Sequence, residues 1–291
     1  MRFVKYHGLG NDFIIIDRFE GGDTGFDRSL VVPLCRRGFG VGADGVILAE
    51  PPASSGDARM VIYNADGSEA EMCGNGIRCL GDFLAREGHV PANPMWIETA
   101  SGARLVKVLE ADPGERVVEV DMGLPEFHRP SIPMTGSGSD AVRERLVVGE
   151  EIIEATCLSM GNPHCVIFVE NISEAPLEKM GPAIEKHDAF PRKTNVEMVE
   201  VAGEHHLLVR VWERGVGITQ ACGTGACAAF AAALAEGRAS SPMRVDLPGG
   251  SLHIALGEGG HIFMRGPVAE VYRAEVSGDW LSLHGRGDAS Q

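Results

Sequence analysis

No stretch of 18 consecutive apolar residues occurs in the 291-residue chain, so no membrane-spanning helix is expected. Basic residues are few: 26 Lys and Arg stand against 41 Asp and Glu, for a net charge of −15. That balance repels phosphate and argues against a nucleic-acid partner. The acidic excess is scattered, as on a solvated surface, and says little about a substrate. The CxxC pairs that dominate zinc sites are absent, and the spacings Cys73 to Cys79 and Cys222 to Cys227 do not replace them, so no metal is expected. The opening segment, MRFVKYHGLGNDFIIID, is too polar for an export signal and reads as a strand, which points to a cytoplasmic protein. In a reducing compartment seven cysteines, an odd number, do not suggest a disulfide framework. Most of them read as small buried apolar residues. What remains is 44% hydrophobic, enough for a proper core, in a length that suits one large domain or two of about 145 residues.

The chain carries its own pattern twice. MVIYNADGSEAEMCGNG (60–76) aligns without gaps with VRVWERGVGITQACGTG (209–225), so 149 residues separate Cys73 from Cys222. Each copy begins with strand-like alternation, turns Gly-rich, reaches Cys-Gly-x-Gly and enters a helix. Both helices stop at Glu-Gly, where Gly88 and Gly237 suit a left-handed cap. GNDFIII (10–16) faces GNPHCVIF (161–168) at an offset of 151, and that offset sets Phe39 against Phe190 and Asp44 against Asn195. ETASGARLVKV (98–108) faces DLPGGSLHIAL (246–256) at 148. A common order through strand, turn, helix and hairpin indicates a duplicated domain. Each half reads as many short strands with one or two helices: long ones at 76–87 and 224–236, shorter ones near 27–38 and 177–187. GACAAFAAALAEG is apolar all round, so the sheet of its own half would have to wrap it. MTGSGSD (134–140) reads as a flexible loop near the join. The tail HGRGDASQ reads as disordered, its Arg-Gly-Asp incidental.

A cysteine at a helix start meets unpaired N–H groups and a partial positive charge, which eases loss of its proton. Glycines at 74, 76, 223 and 225 let a ligand approach bare backbone whose N–H groups suit a carboxylate. Two such half-sites, facing each other, would put one sulfur on each side of a small carboxylate. That arrangement removes a proton from one face of a carbon and returns it to the other, which is a racemase or epimerase acting alpha to a carboxylate. One sulfur must be thiolate and the other thiol, and fixed dipoles would stabilise the carbanion in place of a cofactor.

The motifs HGLGNDF (7–13), NADGSEAEMCGNGIRC (64–79), MGNPHCVIF (160–168), TNVEMV (194–199), WERGVGITQACGTGACA (212–228) and DLPGG (246–250) span nearly the whole chain in order. With them the sequence resembles the diaminopimelate epimerase family. The resemblance implies a cofactor-independent isomerase that interconverts L,L- and meso-2,6-diaminopimelate in lysine and peptidoglycan-precursor synthesis. It implies an α/β (α+β) fold of two pseudo-symmetric domains, each a curled, mainly antiparallel sheet around a central helix. The expected division is 1–122, rejoined by 267–291, and 123–266. Cys73 and Cys222 match the family's acid and base, with Cys73 deprotonating the L,L form. Gly74-Asn75 and Gly223-Thr224 match the backbone that receives the carboxylate at the reacting carbon. The family implies a homodimer, and Tyr272 matches a dimer-contact tyrosine.

The substrate is a diamino diacid whose far end must be held in one configuration. Arg214 suits a planar carboxylate and Glu213 an ammonium, while Asn11, Asn64, Asn162 and Asn195 offer donors and acceptors. The resemblance assigns all six to the substrate and makes His164 and Glu213 the groups that tune the thiols. Read without it, Asn11, Asn64 and Asn162 are turn residues, Glu213-Arg214 is a surface pair and His164 a satisfied core histidine. His187 reads as a surface or helix-end residue, and Cys35, Cys79, Cys157, Cys165 and Cys227 as structural. One departure concerns Ala43-Asp44-Gly45, where some family members carry Gln in the place of Gly45; that contact near Asn11 would be made by backbone, by water or not at all. Competing readings are a proline or hydroxyproline racemase, whose first site usually reads CGHG rather than CGNG, a phenazine-type isomerase, which lacks the cysteine pair, and a non-catalytic redox or metal-binding protein.

Overall fold

Two runs of short strands, each gathered around one long helix, make up the computed structural model, which describes residues 1–19, 21, 24–110 and 115–285. The chain forms two units, Met1–Val120 with Gly266–Gln291, and Asp121–Arg265. The RGD-containing tail beyond residue 285 lies outside the described residues.

In the first unit the elements are β1 (Arg2–Gly8), β2 (Asn11–Asp17), α1 (Val31–Cys35), β3 (Gly45–Glu50), β4 (Ala58–Asn64), β5 (Glu69–Ala70), α2 (Gly74–Glu87), β6 (Met95–Thr99), β7 (Gly102–Glu110) and β8 (Arg116–Asp121). The second unit holds β9 (Glu144–Val148), β10 (Glu151–Ser159), β11 (Pro163–Phe168), α3 (Leu177–Glu185), β12 (Asn195–Gly203), β13 (His206–Glu213), β14 (Gly217–Thr219), α4 (Gly223–Ala235), β15 (Met243–Leu247) and β16 (Gly250–Leu256). The strand β17 (Ile262–Glu275) follows and leads to α5 (Gly278–His284). The start of β17 pairs with β16, and its later residues pair with β1.

The duplication seen in the sequence is repeated in the ladders. β2 runs parallel to β3, β3 antiparallel to β4, β4 antiparallel to β5 and parallel to β6, and β6 antiparallel to β7. The second unit gives the same succession from β11 through β12, β13, β14 and β15 to β16. Helix α2 packs against β1, β2, β3, β4, β6 and β7, and α4 against the six counterparts β10, β11, β12, β13, β15 and β16. Each sheet therefore curls around its own helix.

The sequence explains how a helix can sit there. Every residue of α4 from Gly223 to Ala233 is buried, and its alanines let strands approach from all sides. Helix α2 is less uniform: Ile77, Leu80, Phe83 and Leu84 are buried, but so are Arg78 and Asp82. Asp82 is satisfied by Arg86 Nε and Arg116 Nε, both at 2.7 Å, and by the Tyr6 hydroxyl at 3.1 Å. At Gly81 an added Cβ would come within 2.6 Å of the Val106 side chain, so strand β7 touches bare backbone. Each sheet is covered on its outer face too. Ile14 and Ile16 of β2 pack with Leu30 and Leu34 beside α1, and Cys165 and Ile167 of β11 with Leu177 and Ile184 of α3. A strand covered on both faces reads as an unbroken apolar run, as FIII does in β2.

Three local expectations are corrected. The short helix near 27–38 is a single 3₁₀ turn, Arg28–Leu30, followed by Val31–Cys35; Arg36 is already extended, and the chain folds back at Gly40, whose added Cβ would strike the Pro33 carbonyl. Its counterpart ends at Glu185. The long helices begin two residues and one residue earlier than expected, at Gly74 and Gly223, because the cysteines themselves are the caps. At their other ends Gly88 (φ 72°) and Gly237 (φ 68°) take the left-handed conformation. The third correction is one of register. Phe13 pairs with Gly45 where His164 pairs with Asn195, and Val46 pairs with Tyr63 where Val196 pairs with Trp212. The residue equivalent to Asn195 is thus Gly45, not Asp44, since the chain from Phe190 to Val196 is one residue shorter than that from Phe39 to Val46. Gly45 lies against β4 so closely that an added Cβ would stand 2.6 Å from the Tyr63 carbonyl oxygen.

Candidate active site

In both units a cysteine caps the central helix. Cys73 (φ −139°, ψ 118°) and Cys222 (φ −124°, ψ 113°) have the extended backbone of an N-cap residue. The N–H of Gly76 donates to Cys73 Sγ and that of Gly225 to Cys222 Sγ, each at 3.4 Å. A sulfur so occupies the place normally held by a Ser, Thr, Asp or Asn oxygen, and the Gly-x-Gly that follows supplies the first-turn N–H groups. Room is tight: a Cβ on Gly225 would come within 2.8 Å of Glu197 Oε1 and 3.3 Å of Cys222 Sγ.

The first unit brings Asn11, Cys73 and Asn75 together. Asn11 Oδ1 stands 3.8 Å from Cys73 Sγ and accepts from Asn75 Nδ2 at 3.1 Å, while Asn11 Nδ2 donates to Asp44 Oδ2 at 2.9 Å. Gly74 and Asn75 are buried in the first helical turn. Asn64 is exposed at the turn after β4, where its amide donates to Ser68 Oγ and its carbonyl accepts from Gly67 N–H.

The second unit assembles a larger set. Asn162 joins Thr224, its Nδ2 donating to the hydroxyl at 3.4 Å, and Thr224 Oγ1 is 3.5 Å from Cys222 Sγ. The His164 ring is fully buried between two oxygens, Asn162 Oδ1 at 3.0 Å from Nε2 and Glu197 Oε1 at 2.7 Å from Nδ1. Asn195 ties the far corner: its Nδ2 donates to the Pro163 carbonyl and its Oδ1 accepts from Arg214 N–H. The Arg214 side chain reaches the Arg192 carbonyl at 3.1 Å and remains exposed. Glu213 accepts from the Thr219 hydroxyl at 2.6 Å.

Electrostatics in the second unit overturn one expectation. The Cys222 thiol is pushed well above the usual cysteine range, first by burial, then by the carboxylates of Glu213 and Glu197. The Thr224 hydroxyl and the Gly225 N–H work the other way without prevailing. A helix terminus eases thiol ionisation only where water or a cation helps; here the residue is buried and has two carboxylates for neighbours. Cys222 is therefore held as the thiol.

Glu197 was not singled out in the sequence, although it sits in the apolar run of TNVEMV, where a charge has no solvent to face. It is fully buried, its carboxyl is raised by burial against the opposing effect of His164, and its Oε2 has no hydrogen-bond partner. Arg78 lies within the NADGSEAEMCGNGIRC motif without having been singled out, and Asp44 was set against Asn195 rather than given a role at the site. The five cysteines read as structural, Cys35, Cys79, Cys157, Cys165 and Cys227, are all buried, and none of the seven cysteines forms a disulfide. His187 bonds the Val147 carbonyl near the end of α3. Tyr272 is 42% exposed and packs edge-on against Phe3. No helix among the described residues is long and apolar enough to cross a membrane.

Known proteins resemble this chain in sequence and in fold. A family model described as diaminopimelate epimerase matches residues 3–128 and 156–271. The diaminopimelate epimerase of Desulfitobacterium hafniense is 46% identical over 284 residues, covering 97% of this chain and 100% of that protein. That of Synechococcus elongatus is 48% identical over 280 residues, covering 95% and 98%. Among solved structures, a hydroxyproline epimerase from Agrobacterium vitis aligns over 94% of this chain and 91% of its own, with a TM-score of 0.70 at 14% identity. A probable proline racemase from Agrobacterium radiobacter aligns over 96% and 93%, with a TM-score of 0.69 at 15% identity. At such identities the structural likeness speaks for the fold alone.

Proposed function

The chain belongs to the diaminopimelate epimerase family, and from that premise we propose that Cys73 and Cys222 are the acid–base pair of the epimerisation. It is an isomerase of lysine biosynthesis that interconverts L,L- and meso-diaminopimelate, and the racemase and thiol-sensor alternatives fall away. The observation that carries the assignment is the matched capping: two sulfurs, 149 residues apart in sequence, each take the N-cap of a buried helix and the same i+3 N–H bond.

In the L,L-to-meso direction Cys73, as thiolate, takes the alpha proton, and Cys222, as thiol, delivers one to the opposite face; the reverse reaction exchanges the roles. The buried state of Cys222 and its carboxylate neighbours support its part as the acid that is already protonated. The alpha-carboxylate is received by the first-turn N–H groups at Gly74-Asn75 and Gly223-Thr224, which also face the charge that develops as the proton leaves. Arg214 takes the distal carboxylate through its planar fork and Glu213 an ammonium, with Asn11, Asn64, Asn162 and Asn195 completing recognition and His164 and Glu213 tuning the thiols. In this reading the protein works as a homodimer in the cytoplasm, with the half-exposed Tyr272 at the contact.

The test is isotopic. In deuterated water, reduced protein without pyridoxal phosphate or added metal should place deuterium on the alpha carbon of both L,L- and meso-diaminopimelate, and leave proline unlabelled. Substrate that stays unlabelled after prolonged incubation refutes the activity.

A further inference from the structure

A chain of amides behind Cys73 has its direction fixed at both ends. Arg78 is fully buried and can only donate hydrogen bonds. Its Nη2 donates to Asn75 Oδ1 at 2.9 Å and its Nη1 to the Gly74 carbonyl at 3.1 Å. Asn75 must therefore turn its Nδ2 outward, and that group donates to Asn11 Oδ1 at 3.1 Å. Asn11 then turns its own Nδ2 the other way, where Asp44 Oδ2 accepts it at 2.9 Å. An ionised carboxylate can only accept. Asp44 is in turn held by Arg37 at 2.8 Å and by the Asp12 N–H at 3.0 Å. An amide looks alike in either orientation, but one between an obligate donor and an obligate acceptor has a single satisfied orientation. The room for this arrangement is made by Gly8, where an added Cβ would stand 3.2 Å from Arg78 Nη2.

We propose that Arg78 and Asp44 are positioning residues for Cys73: from opposite ends they lock the Asn11 amide with its oxygen, not its nitrogen, toward the sulfur 3.8 Å away. The sulfur then has two unlike neighbours, an N–H from Gly76 that welcomes the thiolate and a carbonyl oxygen from Asn11 that welcomes the thiol. A group that must both give and take a proton needs both. This bears on why Asp44 stands beside a glycine: Gly45 cannot supply an amide near Asn11, and Asp44 holds Asn11 instead. The inference rests on Cys73 as an acid–base residue for its purpose, but not for its test. The charged and titratable groups of this unit around the chain of amides include Lys5, Asp12, Cys35, Arg37 and Asp44 at one end, and Arg78, Cys79 and Asp82 on the helix that Cys73 caps.

The side chain of Asp44 is 41% exposed, so Asp44→Ala should fold. It removes the acceptor that holds Asn11 Nδ2, which frees the Asn11 amide to invert and turn its nitrogen toward the sulfur. The measurement is the pH dependence of Cys73 alkylation by iodoacetamide in the full chain, read by peptide mass spectrometry at low and at molar salt. The midpoint should fall by about half a pH unit, roughly threefold more thiolate at a fixed pH, in both salts, as for the loss of one weak hydrogen bond. Asp44→Asn, whose amide oxygen can still accept from Asn11 Nδ2, should move it less, in the same direction. An unmoved midpoint, or a shift that disappears in molar salt and so reports a screened surface charge, overturns the proposal. Because alkylation reads Cys73 whether or not it moves the substrate proton, an active Cys73→Ala variant would remove the catalytic reading and leave this result standing.

Discussion

Glu197 Oε1 lies 2.7 Å from His164 Nδ1, and neither side chain has any exposed surface. The two stand opposite the start of α4, where Glu197 also approaches the backbone of Gly225 and contributes to the field at Cys222. A carboxylate in that position holds the histidine and disfavours ionisation of the neighbouring thiol.

Glu197→Gln keeps an acceptor for His164 and removes the charge. The Cys222 thiol then ionises at lower pH, because one of the carboxylates that raise it is gone. In the meso-to-L,L direction, where Cys222 must first be thiolate, the rising limb of kcat/KM moves to lower pH. Glu197→Ala takes away the oxygen at His164 Nδ1 and should destabilise the fold by about 1–3 kcal/mol, the cost of leaving a buried polar group unsatisfied. Denaturant unfolding and the pH–rate profile separate the two effects.

Cys73→Ala and Cys222→Ala should each lower epimerisation by about 10²-fold or more, since each face of the carbon needs its own acid or base. Circular dichroism should stay native in both. Near-normal turnover in either variant would end the two-thiol scheme.

Arg214→Lys should raise KM by about tenfold, as a point charge replaces a planar fork whose charged hydrogen bonds are worth roughly 1.5–3 kcal/mol. The Arg214 backbone N–H still bonds Asn195, so the turn keeps its shape. Steady-state kinetics with diaminopimelate decide this; an unchanged KM removes Arg214 from the distal site.

Buried thiols make the fold sensitive to alkali. Burial raises Cys35 to about 11 and also lifts Cys79 and Cys222, while Cys165 is lifted first by its hydrogen bond with Cys157 and then by burial. A thiol whose folded value exceeds its unfolded value, about 8.5, ionises first in the unfolded chain. Its stabilising contribution is complete below pH ~8.5 and is lost as pH climbs toward the folded value. Tm should therefore fall from about pH 8.5 upward, and for Cys35 the loss spans about 8.5 to 11. Cys35→Ala should flatten part of that slope in thermal scans; a Tm level from pH 8 to 11 would contradict it.

Much of the molecule follows from residue order alone. The repeated Cys-Gly-x-Gly, the strand alternation before it and the Glu-Gly after it are local patterns, and local patterns specify helix starts, stops and pairing partners. They were enough to reveal the duplicated domain, the apolar helix its sheet must enclose and the six motifs of the family. Tertiary structure decided what depends on burial and on partners far apart in the chain. It raised the Cys222 thiol that a helix start alone would lower, since desolvation and the charges of Glu213 and Glu197 come from packing. It made Gly45, not Asp44, the counterpart of Asn195, because a one-residue difference in a loop leaves no mark until strands pair. And it set the direction of the Asn11 amide through Arg78 and Asp44, 67 and 33 residues further along the chain, where only folding brings donor and acceptor within reach.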